Sequence, residues 1–208
     1  MHPIEHPLGP QVPHRGNALS CWLGTWLLRL SGWRMTGEFP DTPKAILVLA
    51  PHTSNMDGVV VAMIILALRL RVGLMAKAEL FKPPFAGIVR WLGGIPIERG
   101  SSRNQVEQTV ARFNEREELW LGISPEGTRN GSETWKTGFY HIARQANACI
   151  VVLALDYGRR ELRVADHFFA SGDQQADMPR IMQGFRGAQG HHPERLSKPL
   201  AELNKSGS

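Results

Sequence analysis

Cysteine is scarce in this chain, with Cys21 and Cys149 the two present in 208 residues. Both lie among apolar neighbours, form no metal-ligand spacing, and read as buried thiols in a reducing compartment. Long apolar runs are missing too. No stretch reaches the ~18 consecutive apolar residues of a spanning helix. The first residues lack the basic n-region, apolar run and cleavage site of a secretory leader. No basic run of five or more occurs, and zinc-finger and RNA-recognition signatures are absent, so nucleic acid is not an expected partner. The net charge of +5, from 24 Lys+Arg against 19 Asp+Glu, suits another anionic partner, such as a phosphorylated ligand or lipid surface. There is no Gly-x-Ser-x-Gly elbow, which argues against a serine hydrolase. No internal repeat or domain linker is evident.

What remains is ordinary globular composition, 42% hydrophobic and 21% charged, in a length that one domain with a full core can fill. Met1 to Arg15 is rich in Pro and His and reads as a disordered arm rather than a metal site. From Leu19, the residues Trp22, Leu23, Trp26, Leu27, Leu30 and Trp33 repeat at helical spacing. This predicts an amphipathic helix within residues 16–36. Tryptophans on one face suit a membrane interface, and they equally suit packing on the domain.

Apolar runs at Ala45–Ala50, Val72–Ala76, Leu119–Ser124 and Cys149–Tyr157 read as strands, with a further strand from Glu161 to Asp166. Between them lie helical patterns over Val59–Leu68, Phe85–Leu92, the Val106/Val110/Phe113 segment, and Gly138 to about Ala146. Asp177 is placed to cap a last helix running through Phe185. Beyond Gly187 the pattern is polar. Alternating strands and helices predict an α/β fold: a single domain with a mainly parallel central sheet flanked by helices, preceded by the amphipathic helix. The expected segments are the arm (1–15), the interfacial helix (16–36), the main domain (37–190) and a polar tail (191–208).

Two loops follow predicted strands, and ligands bind at the carboxyl ends of strands in open α/β sheets. The first is Pro51-His52-Thr53-Ser54-Asn55-Met56-Asp57-Gly58. A five-residue spacing lets the Asp57 carboxylate fold back onto one nitrogen of His52. The other nitrogen is then free to take a proton from a hydroxyl. Ser54, Asn55 and Asp57 are also good helix caps, so the pair alone does not decide the matter. The second loop is Ser124-Pro125-Glu126-Gly127-Thr128-Arg129. Gly127 permits close backbone approach, and Arg129 and Arg99 suit bidentate contact with phosphate. Lys77 offers a point charge. A base beside an anion cradle suits transfer of a group onto the hydroxyl of a phosphorylated acceptor.

The motifs from about residue 45 to 157 resemble the glycerolipid acyltransferases typified by 1-acylglycerol-3-phosphate acyltransferase. His52 to Asp57 fits that family's His-x4-Asp. Gly94-Ile95-Pro96-Ile97-Glu98-Arg99 is similar to its glycine-bearing segment ending in Arg, with Glu98 where Asp is common. Pro125 to Arg129 reproduces Pro-Glu-Gly-Thr-Arg in full. Lys77-Ala78-Glu79-Leu80 and Lys136-Thr137-Gly138 occupy the flanking Lys-x-Glu-Leu and Lys-x-Gly positions. The family's usual fourth motif carries a proline in an apolar strand, and Cys149 to Tyr157 has none.

The resemblance implies an O-acyltransferase. A fatty acyl group would pass from a thioester of coenzyme A or acyl carrier protein to the hydroxyl of a lysophospholipid such as 1-acylglycerol-3-phosphate. His52 would be the general base and Asp57 its orienting partner. Arg99, Glu126, Gly127, Thr128 and Arg129, with Lys77, would bind the acceptor. No metal and no bound cofactor beyond the thioester co-substrate is implied. The expected location is peripheral, on the cytoplasmic face of a membrane. A different lysolipid or polar-headed acceptor, or a non-catalytic lipid-binding protein of the same fold, are the alternatives.

Overall fold

The computed structural model of the chain describes residues 8–77, 87, 94–97 and 102–205, with side chains left undescribed at 74–77, 94–97 and 102–103. Its centre is a seven-stranded sheet in the order β1-β7-β6-β2-β5-β3-β4. The strands are β1 (Arg34–Thr36), β2 (Lys44–Ala50), β3 (Val72–Lys77), β4 (Gly94–Ile97), β5 (Leu119–Ile123), β6 (Cys149–Asp156) and β7 (Glu161–Phe169). Every neighbouring pair is parallel except β6 and β7, which run antiparallel. The predicted mainly parallel α/β domain is therefore the fold observed.

β2 shows why its sequence is apolar at nearly every position. It lies mid-sheet, and both faces are covered. Ala45 and Leu47 point to a core layer that includes Val60, Ile64 and Trp120, while Ile46, Val48 and Ala50 point to a second containing Phe113, Phe139 and Phe185. Successive side chains of a strand face opposite ways, so a strand covered on both faces reads as a continuous apolar run. β6, buried along its whole length, follows the same rule.

Two helices cover the first face: α1 (Ala18–Ser31) and α2 (Met56–Leu68). The other face carries helices from among α3 (Ser102–Asn114), α4 (Gly138–Gln145), α5 (Gln174–Gln183) and α6 (Lys198–Lys205). The start of α1 is fixed by a capping box between Asn17 and Ser20. Its end is fixed by Gly32 in the left-handed conformation, φ 71°. α1 meets α2 through Gly24. A side chain there would fall 2.4 Å from the Ala67 backbone nitrogen, so only glycine permits this approach.

The tryptophan-bearing face of α1 does not fill the core. Leu19, Trp22, Leu23, Trp26 and Leu30 are 39 to 72% exposed. The opposite side, with Gly24 and Leu28, is the buried one. Trp33 departs from the predicted face: the helix stops at Gly32, and Trp33 turns into the core.

Other expectations need correction. Residues 8–15 are not a disordered arm. Val12 is 2% exposed, Arg71 N–H donates to Pro13 O, and Arg15 N–H donates to Arg69 O. Residues 34–36 form the edge strand β1 rather than the end of the helical segment. The polar tail is folded: α6 buries Leu200, and Ser197 is fully buried. Asp177 does not cap α5. Asp173 does, accepting from the N–H groups of Gln175 and Ala176, while Asp177 accepts from the Tyr140 hydroxyl and from Ser171. The helix expected over Phe85–Leu92 lies outside the described residues, Gly87 excepted.

Candidate active site

The carboxyl ends of three neighbouring parallel strands, β6, β2 and β5, lead into Tyr157, the His52 loop and the Glu126 loop. The chain order around β2 is what brings them to one edge. β2 runs beside β6 with Ala50 opposite Ala154, and beside β5 with Val48 opposite Ile123.

His52 stands two residues past the end of β2, after Pro51, and Asp57 sits in the first turn of α2, where the helix dipole favours a negative charge. His52 Nδ1 lies 2.9 Å from Asp57 Oδ2. The same oxygen accepts the N–H groups of Thr53 (2.8 Å) and Ser54 (2.9 Å). The other, Oδ1, accepts the Tyr157 hydroxyl at 2.8 Å. The Asp57 side chain is buried, and burial alone would raise its pKa. The bonds from His52, Ser54 and Tyr157 outweigh burial and hold it below the ordinary aspartate value. An ionised carboxylate only accepts, so the proton belongs on Nδ1, and Nε2 keeps the lone pair. The His52 side chain is 25% exposed, so the imidazole is reachable.

Glu126 is placed differently from expectation. It is 4% exposed, and its carboxyl accepts the His52 backbone N–H and a long 3.4 Å bond from the Ser124 hydroxyl. The Ser197 hydroxyl bonds to it as well and in turn accepts from Trp135 Nε1 at 3.0 Å. Glu126 thus ties the two loops together instead of standing open to a ligand. Burial pushes its pKa up to about 7, against a smaller lowering by the His52 N–H and the two serine hydroxyls.

The sign of that shift gives a testable consequence. Between 4.5, the ordinary glutamate value, and about 7, the folded state keeps a proton that the unfolded chain has released. Stability therefore falls as pH rises through that window and levels off above it. Glu126→Gln removes the titration. Its stability relative to the parent should gain about 3 kcal/mol between pH ~4.5 and ~8, measured by urea unfolding. A difference that does not change with pH would contradict this burial of the carboxyl.

Beyond Glu126 the loop opens outward. Gly127 has φ 66°, and a side chain there would meet the end of Lys136, 2.9 Å from Nζ. Thr128 Oγ1 accepts the Asn130 N–H at 3.3 Å, and Arg129 is exposed. Lys77 is the last residue of β3, so its backbone ends at the same sheet edge. The Lys77 side chain and all of Arg99 lie outside what is described.

The sequence reading missed the residues that buttress these loops. Tyr157 was visible only as the end of a strand. The C-terminal segment packs behind Thr53: His192 N–H donates to Thr53 Oγ1 at 3.1 Å, and Gly190 lies so close that a side chain would fall 2.8 Å from Thr53. Only the strand order and the path of the tail place these groups, and neither leaves a local sequence signal. Among the described residues, no group of three or more His, Cys, Asp or Glu side chains is arranged to hold a metal ion.

The chain matches the family described as Acyltransferase over residues 34–156, more than half its length. It is also similar in fold to the 1-acyl-sn-glycerophosphate (LPA) acyltransferase PlsC from Thermotoga maritima. The TM-score is 0.57, with 17% sequence identity over 79% of this chain and 74% of that one. No curated protein matches it significantly.

Proposed function

Because the chain belongs to the acyltransferase family, we propose that it moves a fatty acyl group from a thioester onto the hydroxyl of a lysophospholipid, with 1-acylglycerol-3-phosphate as the leading acceptor. The observation that carries this reading is the His52–Asp57 pair. Its Nδ1 is bonded, its Nε2 keeps a lone pair, and it lies beside a loop that ends in an exposed arginine. The acceptor hydroxyl gives its proton to Nε2 as its oxygen attacks the thioester carbonyl. Asp57 stabilises the imidazolium that forms. Collapse of the tetrahedral intermediate breaks the carbon–sulfur bond, and the imidazolium returns the proton to the leaving thiolate. No acyl-enzyme is needed.

Gly127, Thr128 and Arg129 are the proposed phosphate contacts, with Lys77 and Arg99 as further cations. Glu126 is assigned to holding the loops. The donor is a thioester of coenzyme A or acyl carrier protein. The acceptor is met at a membrane surface on the cytoplasmic side. What supports a surface location is the exposed apolar face of α1, on which Trp22 and Trp26 stack at 6.4 Å. Such rings favour the headgroup level. Among the described residues no helix is long and apolar enough to cross a membrane.

Purified protein given a labelled acyl thioester and vesicles bearing lysophosphatidic acid should form phosphatidic acid. Monoacylglycerol, which lacks the phosphate, should serve poorly. Equal use of both acceptors would refute the phosphate assignment. The double variant Trp22→Ser/Trp26→Ser should no longer co-sediment with anionic vesicles, while its melting temperature stays close to that of the parent. Undiminished co-sedimentation would place the membrane contact elsewhere.

A further inference from the structure

Asp57 pairs with His52, and its carboxylate has a second anchor of different origin. Three donors, His52 Nδ1 and the Thr53 and Ser54 N–H groups, converge on Oδ2. The torsion that sets a carboxylate plane is soft, so three bonds to one oxygen leave the plane free to turn about it. The Tyr157 hydroxyl takes the other oxygen, 2.8 Å away and 100 residues along the chain. Two anchors on two oxygens define a plane.

The tyrosine is itself clamped. Trp33 meets its ring edge-on, with centroids 4.9 Å apart at 86°, and His191 meets it at 4.8 Å and 78°. One clamp comes from the turn after α1 and the other from the C-terminal segment. Burial, followed by the bond to Asp57, pushes the phenol pKa upward. The hydroxyl therefore stays a donor across the range in which proteins work.

We propose that Tyr157 is a positioning residue, which fixes the plane of the Asp57 carboxylate and thereby the direction of the His52 imidazole. The inference rests on the acyl-transfer reading for its kinetic part and on geometry alone for the rest. Tyr157 does not touch substrate. It acts through Asp57, so it affects the proton-transfer step and leaves substrate affinity alone.

The test is Tyr157→Phe, which keeps the ring and both of its clamps and removes one oxygen. The expected kcat falls roughly tenfold, as for loss of one hydrogen bond to a charged group. KM for donor and acceptor should stay at parent values. In protein carrying 15N-histidine, the Nδ1-bound proton of His52, assigned by its loss in His52→Ala, should shift and broaden. A kcat at the parent value, or a loss confined to KM or melting temperature, overturns the proposal. So does an unmoved resonance. If the parent protein transfers no acyl group to any lysolipid, the functional reading fails instead, and the resonance alone decides the role of the tyrosine. Should Tyr157→Phe not fold, His191→Ala carries the same two readouts. It removes one clamp and leaves the phenol bond, so a smaller kcat loss in the same direction is required.

Discussion

Alanine at position 52 should slow acyl transfer by roughly 10²–10⁴-fold, the usual cost of losing a general base, while the protein melts close to the parent temperature. The two halves of that expectation have separate reasons. The imidazole has Nδ1 committed to Asp57 and Nε2 left with a lone pair for a hydroxyl proton. The ring is partly exposed, so its removal opens no sealed cavity. The backbone N–H that ties His52 to Glu126 also survives the substitution. Transfer of label from the thioester to lysophosphatidic acid measures the first half, and thermal melting the second. A folded His52→Ala protein with near-parent turnover would eliminate this mechanism.

Asp57→Ala should be as severe for activity and far worse for folding. It leaves the Thr53 and Ser54 N–H groups and the Tyr157 hydroxyl without their acceptor, all in or against a buried loop. Removing one partner from such a buried charged network costs on the order of 3–5 kcal/mol. The pH dependence has the opposite sign to that of Glu126. The Asp57 pKa lies below 3.8 in the folded state, so its contribution is present above that value and is lost as pH falls through the folded one. The stability gap between parent and Asp57→Ala should therefore narrow in acid. Urea unfolding at neutral pH and below pH ~3.8 measures it. A gap under ~1 kcal/mol at neutral pH would show that the four bonds contribute little.

The contrast between these two carboxylates shows what was readable in the chain. His52 and Asp57 are five residues apart at a strand-to-helix junction, so their pairing is a local matter and the spacing announces it. Buried parallel strands are likewise visible, because an element covered on both faces must be apolar throughout. Glu126 could be found as part of a loop, and the resemblance gives it to the acceptor, but its tie to the Ser197 hydroxyl and the His52 backbone depends on groups distant in sequence. β1 has three residues and no pattern of its own; it exists because Glu161 to Arg163 pair with it. Trp33 fits the helical repeat on paper, but Gly32 ends the helix one residue earlier. Asp173 and Asp177 are equivalent as caps until Tyr140 and Ser171 claim the second. The C-terminal segment offered too few apolar residues to be noticed, yet Leu196, Leu200 and Leu203 pack on the core and Ser197 bonds to Glu126.

That docked segment sets the order in which the molecule can become complete. The bond from His192 to Thr53 joins groups 139 residues apart, and a chain is made in order, so residues 190–198 emerge after β2, β5 and β6 are already available to pair. The sheet can assemble around β2, β5 and β6 before residues 190–198 have found their places. Until they do, Thr53 lacks its backing and Glu126 lacks the Ser197 hydroxyl. A nascent chain should therefore pair its central strands first, and the docking of this segment then completes the core layer around Leu200 and the candidate site in one step.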